Sequence, residues 1–307
     1  GANTAMFSLV DALLFRPLPV HDPGTMVDVF TTHGDEVATS SYADYLDLKA
    51  QNTVFAAMTG YSPMMAPLAL GDRSRVALGQ IVTGNHFTVL GVQPALGRLL
   101  APADDVPGAE RVVVLSDRMW RREYGADPAI VGRPITLRGL VYSVAGVAPP
   151  SFTGVVPLLT PELWLTMAHA EEVDPIGITN NVPGPGQTRL ERRGARWMFI
   201  KGRLKDGATP AQAQANVALI SQQLATAYPQ TNKDSRMSAV ASEDVRLLVP
   251  QAGGVLSVGA AGVMAIVLGG KALAALLIVR VLGGSLGIGL TVAAGLAQIG
   301  EFSFILA

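Results

Sequence analysis

From Val249 to Ala307 the chain is built of apolar and small residues, and Lys271, Arg280 and Glu301 are its only charges there. A water-soluble core rarely needs an uncharged stretch of that length, whereas a helix crossing the hydrocarbon layer of a bilayer takes about 20 apolar residues. The stretch predicts transmembrane helices over residues 251–307. Residues 17–250 instead mix charged, polar and apolar side chains as a water-exposed domain does. The chain therefore reads as a folded body tethered to a membrane.

Charge and residue counts narrow the function classes. Over 307 residues the chain averages 49% hydrophobic and 15% charged, and the shortfall of charge lies at the C-terminal end, so the average mixes two solvents. The net charge of -1, with basic and acidic residues interspersed, leaves no basic face to release counterions from a phosphate backbone, which argues against nucleic-acid binding. With no cysteine there are no disulfides or thiolate metal sites, and the compartment must be read from topology. At the other end Gly1 to Phe15 is helix-compatible and is stopped by Arg16, Pro17 and Pro19. It is too short to span alone. Residues 1–16 are expected to be the outer end of a first transmembrane helix, with a buried amphipathic helix as the alternative that Asp11 keeps open. No basic segment leading an apolar core marks a secretory signal.

Between these ends, strands and helices alternate. Ser40 or Ser41 is placed to cap a short helix in SYADYLDLKAQN, where Tyr42, Tyr45, Leu46 and Lys49 fall at helical spacing. Met64 to Leu70 and Val76 to Val82, joined through Gly71 and Asp72, predict a hairpin. Arg111 to Leu115 is a strand of β-branched residues, after which Ser116 caps a helix that Gly125 ends. Arg138 and Gly139 suit a tight turn between Ile135–Leu137 and Val141–Val144. Asp174 to Gly194, rich in Pro, Gly and Asn, reads as a loop or linker, and Asn180, Asn181 and residues 183–187 make it the best candidate for partner contacts. Arg196 to Leu204 is a strand. Thr209 then caps a helix with Pro210 at its first position, and Val217, Ile220 and Leu224 share one face. The pattern predicts an α+β body, not a parallel nucleotide-binding sheet.

Catalytic patterns fail on their context. Gly283 to Gly287 matches G-x-S-x-G around Ser285, yet all four histidines lie upstream, against the hydrolase order, and a small-residue helix-packing patch explains the glycines. Gly269, Gly270 and Lys271 lack the leading glycine and the Ser or Thr of a phosphate loop. His21, His33, His86 and His169 share no metal-ligand spacing and are expected on surfaces or loops. Asp104, Asp105 and Glu110 lack an ordered cation-loop template and are expected to form a solvated turn. Trp120, Trp164 and Trp197, with Phe87 and Leu90, are expected in the core. No catalytic residue, cofactor site or metal site is expected, and the chain is not expected to be an enzyme.

Three stretches carry a family resemblance: GNHFTVLGVQPALGRLL (Gly84 to Leu100), VVVLSDRMWRREYGADPAIVGRPITLRGLVYSVAGVAPPSF (Val112 to Phe152) and IKGRLKDGATPAQAQANVALISQQLATAYP (Ile200 to Pro229). They closely resemble the MacB-like periplasmic core domain of MacB and FtsX-type transporter permeases. GANTAMFSLVDALLFRPLPV also resembles the end of the first membrane helix in permeases that lack a fused ATPase. The resemblance covers about residues 1–260. It implies an extracytoplasmic domain over 17–250, built of a porter-like βαβ subdomain and a second mixed subdomain, inserted between membrane helices of the bacterial inner membrane. It further implies a non-catalytic permease subunit that relays conformational change. The partners it implies are a separate ATPase subunit, an outer or periplasmic protein, membrane lipid, and a homo- or pseudo-dimeric arrangement.

The C-terminal end departs from that pattern. Gly270 to Ala307 resembles a segment of KefB-type cation:proton antiporters, so the chain reads as a chimera joined between Val258 and Gly270. There Glu301 is the sharpest candidate for chemistry, because a charge at a membrane-helix centre costs about 2.5–3.5 kcal/mol. Cation or proton handling by Glu301 and Gln298 is one reading. The preferred one puts both at a helix end near the headgroups, where the cost is small, and the paired acidic helix that the antiporter resemblance would require lies outside this stretch. Lys271 and Arg280 can snorkel from helix ends. A fragment of an antiporter and a membrane-anchored binding or scaffold module remain the rival functions.

Overall fold

The computed structural model describes residues 18–33, 36–156, 159–176, 180–181 and 188–245, all within one compact unit, Gly1–Leu247. The predicted membrane segments 1–16 and 251–307 lie outside the described residues. Among the described residues no helix is long and apolar enough to cross a membrane.

The body opens with β1 (Met26–His33), and β2 (Glu36–Ala38) folds back on its far end. A two-residue strand, β3 (Ser40–Ser41), leads into α1 (Tyr42–Gln51). Ser41 is the cap: its Oγ accepts the Asp44 N–H at 3.1 Å, while Tyr45 and Leu48 bury the inner face. β4 (Phe55–Leu70) runs 16 residues, about 50 Å at strand rise, and returns as β5 (Arg73–Val82). The turn between them uses Gly71 at φ 60, the left-handed region that glycine enters without strain. β4 starts nine residues ahead of the predicted hairpin arm, at Phe55, because its first half pairs with a strand distant in sequence.

α2 (His86–Leu90), β6 (Leu96–Gly97), β7 (Val112–Leu115) and α3 (Asp117–Tyr124) follow. Ser116 caps α3, accepting the Met119 N–H at 3.1 Å, and Gly125 ends it at φ 62. β8 (Pro134–Leu137) and β9 (Leu140–Val147) form the predicted hairpin, with Arg138 at φ 50 and Gly139 at φ 80 in the two turn positions. Beyond β10 (Leu163–Thr166), two short strands, β11 (Asp174–Pro175) and β12 (Asn180–Asn181), interrupt the segment read as a loop; residues 182–187 lie outside the described residues. β13 (Ala195–Leu204), α4 (Pro210–Ala227), α5 (Pro229–Asn232) and β14 (Ser235–Ala241) complete the body.

The strands join one sheet in the order β14-β1-β13-β4-β5-β10-β7-β9-β6. The β14 to β5 half is antiparallel, while β10 runs parallel to β5 and β7 parallel to β9. Long β4 and β5 carry the sheet from one half into the other. Residues of alternating orientation divide the core between two faces, as the period of two requires. On one face Val27, Met58, Leu68, Val113 and Tyr142 pack with Val217, Ile220 and Leu224 of α4. On the other, Met26, Tyr61, Val82, Val114 and Trp164 surround Phe87 and Leu90. Trp197 is buried and Trp120 half-buried, as expected of core tryptophans. A polar knot also binds α1, β13 and α5. Asp44, fully buried, takes Arg193 at 2.7 Å and Asn232 at 2.9 Å, with Arg196 at 3.4 Å.

Candidate coupling site

β1 and β14 lie antiparallel, with Val27 opposite Ala241, and the Ser242 N–H donates to the Met26 carbonyl at 2.9 Å. The chain therefore enters and leaves the folded body side by side. The incoming segment is also tied down before β1 begins, the His21 N–H donating to the Leu90 carbonyl at 2.9 Å and Arg203 of β13 donating to the His21 carbonyl at 2.7 Å.

One step inward lies a buried ion pair. Asp28 of β1 receives Lys201 Nζ of β13 at 2.6 Å on each carboxylate oxygen. The Ser242 hydroxyl donates to Asp28 Oδ2 at 2.6 Å and receives Lys201 Nζ at 3.3 Å. Asp28 is 5% exposed, and Lys201 and Ser242 are 3% exposed. Charges so far from water persist only when paired with good geometry and further hydrogen bonds, since desolvation costs several kcal/mol per ion. The triad fastens the outgoing chain, through Ser242, to the incoming strand and to β13 together.

A polar chain continues from the triad into the sheet. Lys201 stands opposite Thr59 of β4. The Asn85 amide donates to the Met58 carbonyl at 2.9 Å, which turns its oxygen to accept from the Thr83 hydroxyl at 2.9 Å. Thr83 Oγ1 then accepts from Gly60 N–H at 3.1 Å and from the Thr59 hydroxyl at 2.8 Å. With that proton spent, Thr59 can only accept from His86 Nδ1, 2.9 Å away. The network assigns the Nδ1–H tautomer and leaves buried Nε2 without a partner. Burial, with the Lys201 charge second, lowers the His86 pKa to about 3, so the ring is neutral. Beyond it, Asp105 accepts the Gly84 and Ala168 N–H groups at 2.8 Å each, tying the α2 approach to the turn after β10. Burial raises the Asp105 pKa.

Two expectations are corrected here. His86 and His169 are buried, not surface residues: Thr59 of distant β4 accepts from His86, and Tyr142 of β9 packs edge-on against His169, whose Nδ1 lies 3.3 Å from Glu172; His21 and His33 are exposed. Nor are Asp104 and Asp105 solvated. Asp104 holds Arg98 in a fork at 2.6 and 2.8 Å and accepts the Ala101 N–H at 2.9 Å, and Glu110 alone of the three stays exposed. Among the described residues no group of three His, Asp or Glu side chains is placed to hold a metal ion. Glu301, Gln298 and Ser285 lie outside the described residues. Sequence reading missed Asp28, Lys201 and Ser242, which lie up to 214 positions apart. The available signal was a charged residue inside each of two strands, Asp28 in β1 and Lys201 in β13, which calls for a partner when buried.

The sequence matches the MacB-like periplasmic core domain over residues 1–220, a shorter span than the 260 residues expected. The fold is similar to the periplasmic region of MacB from Actinobacillus actinomycetemcomitans, at 15% identity and TM-score 0.53, over 79% of this chain and 99% of that one. It is also similar to a domain from a Porphyromonas gingivalis protein described as a permease, at 12% identity and TM-score 0.52, over 72% of this chain and 92% of that one. The extracellular domain of the noncanonic ABC-type transporter YknZ from Gram-positive bacteria aligns at 11% identity and TM-score 0.50, covering 69% and 98%. At such identities these likenesses concern the fold alone. No curated protein sequence matches the chain. The antiporter resemblance of Gly270 to Ala307, and with it the chimera, finds no support in these comparisons. With most of its length matched and its fold shared with such domains, the chain belongs to the MacB-like periplasmic core domain family.

Proposed function

We propose that the chain is a permease part of an ABC-type transporter, in which residues 17–250 form an extracytoplasmic domain inserted between membrane helices at 1–16 and 251–307. The domain relays conformational change between those helices and outer partners or substrates, driven by a separate ATPase on the opposite face, and performs no catalysis itself. The observation that carries this reading is the side-by-side arrival and departure of the chain at Met26 and Ser242, locked by Asp28 and Lys201. An insertion between two helices of one membrane must begin and end on one face. A locked junction there, feeding a sheet that β4 and β5 make continuous, carries a shift of the helices into motion of the whole body.

The absence of cysteine makes a clean reporter available. Asp72→Cys, at the exposed β4–β5 turn, should react with a membrane-impermeant maleimide on intact cells. Carrying an environment-sensitive dye in native membranes, the same reporter should change its emission when ATP is added. Labelling that requires permeabilisation overturns the extracytoplasmic placement. External labelling with no response to ATP overturns the relay and leaves an anchored binding or scaffold module.

A further inference from the structure

We propose that the outer edge of β5 docks an extended, acidic segment of a partner protein; this rests on the reading above and names where its extracytoplasmic partner binds. From Arg73 to Ala77, β5 has β4 on one side and no described strand on the other, because β10 pairs only with Gly79 to Val82. Pro67 of β4 stands opposite Val76, and its carbonyl accepts the Arg138 N–H at 2.8 Å, on the side away from β5. Opposed residues of an antiparallel ladder exchange both hydrogen bonds or neither. Val76 therefore turns its N–H and C=O out of the edge, as does Leu78, whose carbonyl accepts the Glu162 N–H at 2.8 Å. The Val76 carbonyl already receives Arg75 Nη1 at 3.2 Å, so its N–H is the group left to pair.

Beside this edge lies a cleft of about 440 Å³ whose walls include Val76, Leu78 and Pro161 with Arg118 of α3. Val76 is 61% exposed. Two glutamates in the cleft, Glu123 and Glu162, are each held by both Arg75 and Arg122. Exposed Arg118 has no acidic partner among the described residues, and three arginines against two glutamates leave the cleft positive. Edge strands protect themselves with charge, but here the flanking Arg75 is drawn onto Glu123 and Glu162. What the cleft offers is one strand N–H, an apolar shelf and a spare guanidinium. A short strand carrying a carboxylate next to a β-branched side chain meets all three.

The test uses the full chain in lipid nanodiscs, empty nanodiscs as background, and anisotropy of dye-labelled Val-Glu-Val-Glu-Val and its lysine counterpart. The glutamate peptide should saturate and the lysine peptide should not. Arg118→Glu, on an exposed helix face, should weaken binding by about tenfold. Val76→Pro removes the outward N–H and no β4 ladder bond, and should abolish saturation. Equal binding of both peptides, or binding unchanged by Arg118→Glu, overturns the proposal. The Asp72→Cys labelling is independent: external labelling without peptide binding defeats this proposal alone, and peptide binding without external labelling defeats the topology alone.

Discussion

At the scale of single residues, two buried ionisable groups make opposite demands. Asp28 and Lys201 are charged and satisfy each other, so removing one partner strands the other. Lys201→Met should cost about 3–5 kcal/mol in denaturant melts, and Asp28→Leu/Lys201→Met should recover most of that loss. A double variant as unstable as the single would mean that the pair does more than neutralise itself. His86 is buried uncharged. Folded, it takes a proton only near pH 3, whereas its ordinary value is 6.5. Below pH 6.5 the unfolded chain binds more protons than the folded one, so stability falls with pH, fully present above that value and eroding toward 3. The erosion is at most about 1.4 kcal/mol per pH unit, or about 2 kcal/mol between pH 6.5 and 5, a window above the ordinary carboxylate range. His86→Asn, which keeps a hydrogen-bonding atom toward Thr59, should flatten the stability profile in that window. An unchanged slope would show that other groups set it.

Among the elements, local sequence and structure agree best where a side chain acts on its own backbone. Ser41, Ser116 and Thr209 cap the helices that their sequences predict, and Arg138 and Gly139 make the β8–β9 turn. In α4 the cap is reciprocal: Thr209 Oγ1 accepts the Gln212 N–H at 3.3 Å, and Gln212 returns its oxygen to the Thr209 N–H at 2.9 Å. Thr209→Ala should therefore destabilise the domain by about 1 kcal/mol, with Thr209→Ser recovering most of it, as thermal melts would show. Loss of helix α4 altogether would mean the cap nucleates it. Several strands that escaped prediction were made by pairing at a distance. Phe55 to Tyr61 lacks a clean apolar alternation, yet it is strand because β13 hydrogen-bonds it along its length.

For the whole molecule, the contrast between a charged body and a sparsely charged C-terminal run sets the first expectation. Residues 18–248 expressed alone should be soluble and melt cooperatively, and the full chain should need detergent, because a body with its own two-faced core does not depend on lipid. Aggregation of the excised body without a cooperative transition would count against it. From the chain alone came the α+β class, the caps and turns, and a family resemblance that the comparisons bear out, together with the expectation of a division at about residue 250. Each rests on a signal held within some 20 neighbouring residues, or on composition. Only the tertiary structure decided that Met26 meets Ser242, that Asp28 finds Lys201, and that two of four histidines are sealed inside. Those contacts join residues from opposite ends of the chain, and a local pattern can show that a charge in a strand needs a partner without showing which strand will bring it.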